Sequence, residues 1–228
     1  MGTFGGAQPI VTDGLVFALD AANYESYPGS GTTWNNLRGN GKNGTLTNGP
    51  TFSKAKKGSL TFDGSNDYIN IGSSTGFDFS TNQTILMVLK PEESNSSRRN
   101  PYAQAYGGYG TITHEPSGYF NYYHGTNGSD GGPYQGTSSD FSVLENEVAM
   151  ITLTRSPTYV RWYKNGVMMK QQSNNYPTAV NNNRPIYLCR GYVSYYLGKV
   201  YLTFLYDKTL SSTEVLQNYN ALKGRFGL

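Results

Sequence analysis

Residues 59–71 constrain the fold more than any other stretch, because two extended runs and their connection fit into thirteen residues. Leu60 and Phe62 alternate with Ser59, Thr61 and Asp63, and Tyr68, Ile69 and Ile71 restart an extended run beyond them. That is the two-residue period of strands, and no helical period fits it. The connection Asp63-Gly64-Ser65-Asn66-Asp67 is dense in residues that accept positive φ or hydrogen-bond their own backbone. A strand–turn–strand corner follows.

The remainder of the chain extends this reading. Leu15, Phe17 and Leu19 alternate with Val16, Ala18 and Asp20 in a first strand within residues 10–21, apolar on both faces as a sandwich strand is. Residues 22–50 form a long polar loop that needs pinning, and Trp34, Leu37 and Leu46 are the available anchors. Residues 83–90 read as a central strand ended by Pro91, and residues 92–101 as a surface loop. Short strands near 109–113 and 118–124 sit among long polar connections; others follow at 147–155, 186–190 and 197–206. Between them, residues 159–169 form a hairpin in which Asn165-Gly166 suits the two positive-φ positions of a type I′ turn.

One helix closes the chain, at about 212–223. Ser211 and Glu214 form a capping box, Leu210 and Val215 a hydrophobic staple, and Val215, Tyr219 and Leu222 one apolar face, with Gly224 as the stop. So short a helix is marginal alone and has to dock on the sheets. Twenty-eight Gly, 20 Tyr and 10 Phe, with charged residues at only 14%, agree with an all-β domain. A chain of 228 residues suits one sandwich domain over 10–228, preceded by a Gly-rich leader over 1–9 that is expected to be held only against another subunit.

Several function classes drop out. The net charge of +3 is spread thinly, without the basic face of a nucleic-acid binder. No apolar run approaches a membrane span, so no membrane insertion is expected. The N-terminus lacks the pattern of a secretory signal, which points to synthesis in a cytoplasm. Cys189 has no internal partner, and its setting is that of a buried strand thiol.

Three stretches together resemble the concanavalin A-like, or laminin-G-like, β-sandwich family. The first is Leu60-Thr61-Phe62-Asp63-Gly64 with Asn66-Asp67-Tyr68-Ile69. The second joins the Gly14-Leu15-Val16-Phe17-Ala18-Leu19-Asp20 run to Thr33-Trp34-Asn35-Asn36-Leu37 and Asn43-Gly44-Thr45-Leu46. The third runs from Gly198 through Tyr206-Asp207-Lys208-Thr209-Leu210-Ser211 to the helix. The second and third are similar to laminin-G-like proteins of tailed-bacteriophage particles. The resemblance implies an all-β concanavalin A-like jelly-roll sandwich of two antiparallel sheets. It further implies a virion structural or adhesion protein (a capsid or neck decoration, or a fibre component) located in the virion. Its partners would be other virion proteins or further copies of itself, and host-surface polysaccharide. The alternative is a free carbohydrate-binding module or a degenerate polysaccharide-active enzyme.

Chemistry is sparse. Hydrolases of this fold carry Glu-x-Asp-x-x-Glu on one strand. Here Glu145 and Glu147 stand alone and read as solvated, so no enzyme is expected. His114 and His124 with Tyr122 or Tyr123 supply lyase residue types without a recognisable spacing, and read as surface residues of a tyrosine-rich loop. Relatives that hold Ca²⁺ make Asp20, Asp63, Asn66 and Asp67 the candidate Ca²⁺ ligands, although tight turns select the same residues; no other cofactor is expected. The binding candidates are Tyr102, Tyr106, Tyr109, Tyr119, Tyr122, Tyr123, His124 and Tyr134. Sugar rings present C–H faces to such aromatics, and subunit interfaces favour the same side chains.

Overall fold

The computed structural model describes residues 9–55, 57–92 and 97–228, and the expected leader contact at 1–8 lies outside them. Sixteen strands and one helix are formed among the described residues: β1 (Leu15–Asp20), β2 (Thr33–Trp34), β3 (Gly44–Thr47), β4 (Thr51–Ser53), β5 (Ser59–Asp63), β6 (Tyr68–Ser73), β7 (Gln83–Pro91), β8 (Arg99–Ala105), β9 (Gly110–His114), β10 (Tyr119–Gly125), β11 (Tyr134–Ser142), β12 (Ala149–Arg155), β13 (Tyr159–Lys164), β14 (Val167–Ser173), β15 (Pro185–Leu188), β16 (Leu197–Tyr206) and α1 (Ser212–Phe226). They build two antiparallel sheets. The first runs β14-β13-β12-β7-β16-β5-β4, with β1 also on β16, and the second β11-β10-β9-β8-β15-β6-β3-β2.

The corner at 59–71 carries the chain from one sheet to the other, since β5 lies in the first and β6 in the second. Its turn is held by Asp63, whose carboxylate accepts the amides of Ser65 (2.8 Å), Asn66 (3.2 Å) and Asp67 (3.3 Å). Leu60, Phe62, Ile69 and Ile71 then meet between the sheets. β7 is buried on both faces, as its unbroken apolar run requires. Ile85, Met87 and Leu89 join the core between the sheets, whereas Leu86 and Val88 belong to a second core beneath α1.

That second core is why the helix stays formed. Leu210, Val215, Leu222 and Phe226 are buried against Leu86, Val88 and Phe204, and the capping box between Ser211 and Glu214 is complete. The helix is longer than expected. Gly224 lies within it, and Gly227, at φ 67°, supplies the left-handed cap. The chain start is tied to it as well: buried Asn218 accepts the Val11 amide (2.8 Å) and donates to the Tyr206 hydroxyl (3.0 Å), which donates to the Val11 carbonyl (3.1 Å).

Three other expectations change. Of the anchors in 22–50, Trp34 and Leu46 are buried, but Leu37 is exposed. Residues 99–101 belong to β8 rather than a loop, with Asn100 fully buried. Tyr134–Ser142 is a full strand, where the polar sequence suggested a connection. Asn165 and Gly166 both have positive φ, as the hairpin reading required.

Candidate functional site

Alternation along β10 decides which tyrosines can meet a ligand. Phe120, Tyr122 and His124 point between the sheets, and Asn121 and Tyr123 point outward. Neighbouring strands carry the division on: Tyr122 lies opposite Ile112, which lies opposite Tyr102, all buried, whereas Tyr123 lies opposite Thr111 and Gly136. Five of the eight sequence candidates are buried: Tyr102, Tyr109, Tyr122 and His124 face the interior and are unavailable to a ligand, and Tyr106, 5% exposed, is covered by its neighbours on the outer side. Tyr119 is exposed at the start of β10, apart from the rest.

The interior four serve a polar network. The Arg155 guanidinium, fully buried with no carboxylate partner among the described residues, donates to the Tyr122 hydroxyl (3.1 Å) and to the carbonyls of Ser80 (3.0 Å) and Phe79. The Tyr122 hydroxyl reaches Gln83 Oε1 (2.8 Å), and Gln83 Nε2 donates to Tyr102 (3.2 Å). His124 stacks on Tyr122 (5.2 Å between centroids) with Nε2 2.8 Å from Asn174 Oδ1. Burial, then the Arg155 charge, push its pKa down to about 4. His114, stacked on Phe120, is likewise lowered by burial. Neither histidine is a loop residue, and the lyase-like set does not form, because His114, His124 and Tyr122 are packed in the interior.

Tyr106, Tyr123 and Tyr134 converge on the outer face of the second sheet. Their ring centroids are 4.9 Å (Tyr106–Tyr123), 5.7 Å (Tyr106–Tyr134) and 5.7 Å (Tyr123–Tyr134) apart. Gly136 makes this possible, since a Cβ there would lie 3.0 Å from the Tyr123 ring. The cluster is completed by Tyr192, 78% exposed, whose ring meets Tyr106 edge-on at 6.3 Å. Tyr192 stands on a turn closed by the Arg190–Tyr195 bridge and pinned to the sheet by the Asn100 side chain, which accepts the amides of Val193 (3.2 Å) and Ser194 (3.1 Å). Gly191 allows that approach, because any Cβ would meet Asn100 at 2.4 Å.

Two adjoining hollows flank Tyr192. One, of ≈ 160 Å³, is bounded by Arg98, Tyr106, Asp130, Tyr134 and Val193; the other, of ≈ 370 Å³, by Gln104, Asp130, Arg184, Tyr187, Arg190 and Gly191. Asp130 and Tyr192 border both, so the two form one groove. Asp130 is bound by Arg184 (2.6 Å) and accepts the Tyr106 amide (3.3 Å). Arg98 bonds Glu115 (2.9 Å), which also accepts from Thr113 and Asn121. Burial alone would raise the Glu115 pKa, but these hydrogen bonds outweigh it and hold the carboxyl below its usual range. The Tyr106 phenol is pushed up to about 12 by burial and stays neutral. Arg98, Asp130, Arg184, Arg190 and Tyr192 were missed in the sequence; an exposed ring in the Arg190-Gly191-Tyr192 turn was the available signal.

The candidate Ca²⁺ ligands do not converge. Asp20 faces Leu202 across the ladder and is held bidentately by Arg225 (2.6 and 2.5 Å), whereas Asp63 faces Leu197, five positions along β16. That separation is roughly 16 Å. Asp63 and Asp67 hold each other's turn, and no cluster of three or more metal-binding His, Cys, Asp or Glu side chains occurs among the described residues. Glu147 pairs with Lys164 at 2.6 Å, and buried Cys189 has its thiol pKa raised by burial. A separate hollow of ≈ 280 Å³ lies at the β4 edge, walled by Tyr24, Tyr27 and Phe52, and offers few hydrogen-bonding side chains besides Lys54 and Lys57.

Comparison with known proteins agrees with this architecture. The family model of the concanavalin A-like lectin/glucanases superfamily, laminin-G type, matches residues 63–216. A search by sequence against curated proteins returned no match. Among solved structures, the binding domain of Paraclostridial mosquitocidal protein 1 superposes with a TM-score of 0.72 at 16% identity, over 91% of this chain and 52% of that one. The binding domain of botulinum neurotoxin DC in complex with SialylT gives 0.73 at 12% identity, over 92% and 52%. Domain 4 of AbnA, an extracellular arabinanase of Geobacillus stearothermophilus, in complex with arabinotriose, gives 0.69 at 15% identity, over 90% and 98%. The chain thus spans about half the length of the toxin binding domains and nearly all of the arabinanase domain.

Proposed function

The chain belongs to the concanavalin A-like lectin/glucanase superfamily, and from that premise we propose that it is a non-catalytic protein that binds polysaccharide along the tyrosine groove. The observation that carries this reading is the pair of exposed rings, Tyr134 and Tyr192, set with half-buried Tyr123 around the buried ring of Tyr106, beside hydrogen-bonding side chains. Aromatic rings cover the C–H faces of sugars while polar neighbours take the hydroxyls. The structural relatives in complex with SialylT and with arabinotriose support the reading at the level of the fold.

Two carboxyls, Asp130 in the groove and Glu115 beside it, support the non-catalytic part of the proposal. A glycosidase acid needs a carboxyl with a raised pKa. Glu115 is lowered, and Asp130 is occupied by Arg184. The setting we propose is a tailed-bacteriophage particle, with the protein as a decoration or fibre component that contacts host-surface polysaccharide; the resemblance of residues 14–46 and 198–227 supports it. Screening the full chain and Tyr192→Ala on immobilised glycans tests the binding. Wild-type binding that the variant loses is expected, and a blank array with folded protein refutes the reading. Light scattering of the full chain and of a form lacking residues 1–9 tests the assembly role: an oligomer that falls to monomer is expected.

A further inference from the structure

We propose that the groove selects an acidic sugar, and that Arg190 is the residue that recognises its carboxylate; this rests on the glycan-binding reading above. Three arginines border the groove, and two are already matched: Arg98 by Glu115 at 2.9 Å and Arg184 by Asp130 at 2.6 Å. Arg190 has no carboxylate partner among the described residues. The groove therefore carries one uncompensated positive charge, at a known position.

Arg190 is also held ready. Its guanidinium lies 4.7 Å from the Tyr68 ring centroid and 4.8 Å from that of Tyr187. Contact with two rings restricts the side chain without using its N–H donors, so little rotamer entropy remains to be lost when a ligand arrives. A guanidinium offers paired N–H groups that match the two oxygens of a carboxylate. Backbone position reinforces this: Arg190 forms the bridge with Tyr195 at the base of the turn whose tip is Tyr192. One turn thus presents an exposed ring for a sugar's apolar face and a cation with no carboxylate partner among the described residues in the same hollow. A neutral sugar would use the ring and leave the cation solvated. An acidic one uses both.

The test is an array on which uronate- or nonulosonate-bearing oligosaccharides are each printed beside their carboxyl-reduced counterparts, probed with wild type, Arg190→Gln, Arg190→Lys and Tyr192→Ala. Charge-assisted hydrogen bonding predicts that wild type binds the acidic member about tenfold more tightly than its reduced counterpart. Arg190→Gln should erase that preference while the protein stays folded by circular dichroism with only a few degrees lost in melting temperature, about what two cation–π contacts supply, and Arg190→Lys should retain part of the preference. Added salt should weaken acidic binding selectively. Equal binding within each pair, or an undiminished preference in Arg190→Gln, overturns the acidic-sugar inference while glycan binding stands through its loss in Tyr192→Ala. If no saccharide of either kind is bound by the folded protein, the glycan reading itself falls.

Discussion

Tyr122 and Tyr123 are adjacent in sequence, identical in chemistry and opposite in use. Tyr122 is fully buried, bonded to Gln83 and Arg155 and stacked on His124, whereas Tyr123 lies on the outer face among Tyr106 and Tyr134. The pleat turns successive side chains to opposite faces, so a single residue step separates core from groove. Tyrosine serves in both places because its ring is apolar and its hydroxyl can be satisfied by protein or by ligand. What differs is burial: the Tyr122 ring and hydroxyl are closed off between the sheets, whereas the Tyr123 ring is half-buried on the outer face.

The largest expected effect tests the inner half of that contrast. Tyr122→Ala opens a cavity and leaves Gln83 and Arg155 short of a partner, and should cost about 3–5 kcal/mol in urea unfolding. Tyr123→Ala should cost less than about 1 kcal/mol and instead reduce glycan binding. Equal losses from both would break the comparison.

Acid provides the next test. His124 titrates near 6.5 when unfolded and at about 4 when folded. Between those values the unfolded chain binds more protons, so stability is full above about pH 6.5 and falls as pH drops towards 4, by roughly 3 kcal/mol. His114 is shifted in the same direction. Denaturation midpoints at pH 7 and pH 4.5 measure the loss, and His124→Gln should flatten the curve.

On the outer face the effects are smaller and of another kind. Tyr192→Ala removes an exposed ring, and should weaken glycan binding about tenfold while shifting stability by less than about 0.5 kcal/mol. Gly136→Ala places a Cβ against the Tyr123 ring and should lower affinity by less than the loss of Tyr192 does, through displacement of that ring. Titration of one glycan against both variants ranks them, and a larger effect from Gly136→Ala would show that ring placement outweighs ring area.

Sequence legibility followed the same division. The corner at 59–71, the Asn165-Gly166 hairpin, the doubly buried β7 and the capping box at Ser211 are local signals, each decided by period or by turn chemistry within a few residues. β8 and β11 escaped because Pro101 and the polar run 134–140 imitate loops; tertiary pairing with β9 and β10 made strands of them. The binding candidates divide between interior and outer face for one reason. Composition located the tyrosines, but only strand register could assign each to a face.

By itself, the sequence determined an all-β sandwich with one docked helix, because alternation, turn residues and caps act over short range. Only the tertiary structure decided that Tyr122 is interior and Tyr123 exterior, that Arg98 and Arg184 are matched and Arg190 is not, and that Tyr192 reaches Tyr106 from 86 positions away. Those assignments depend on which distant strands pair and in what register, and sheet pairing is set by the packing of the whole core rather than by any segment of it.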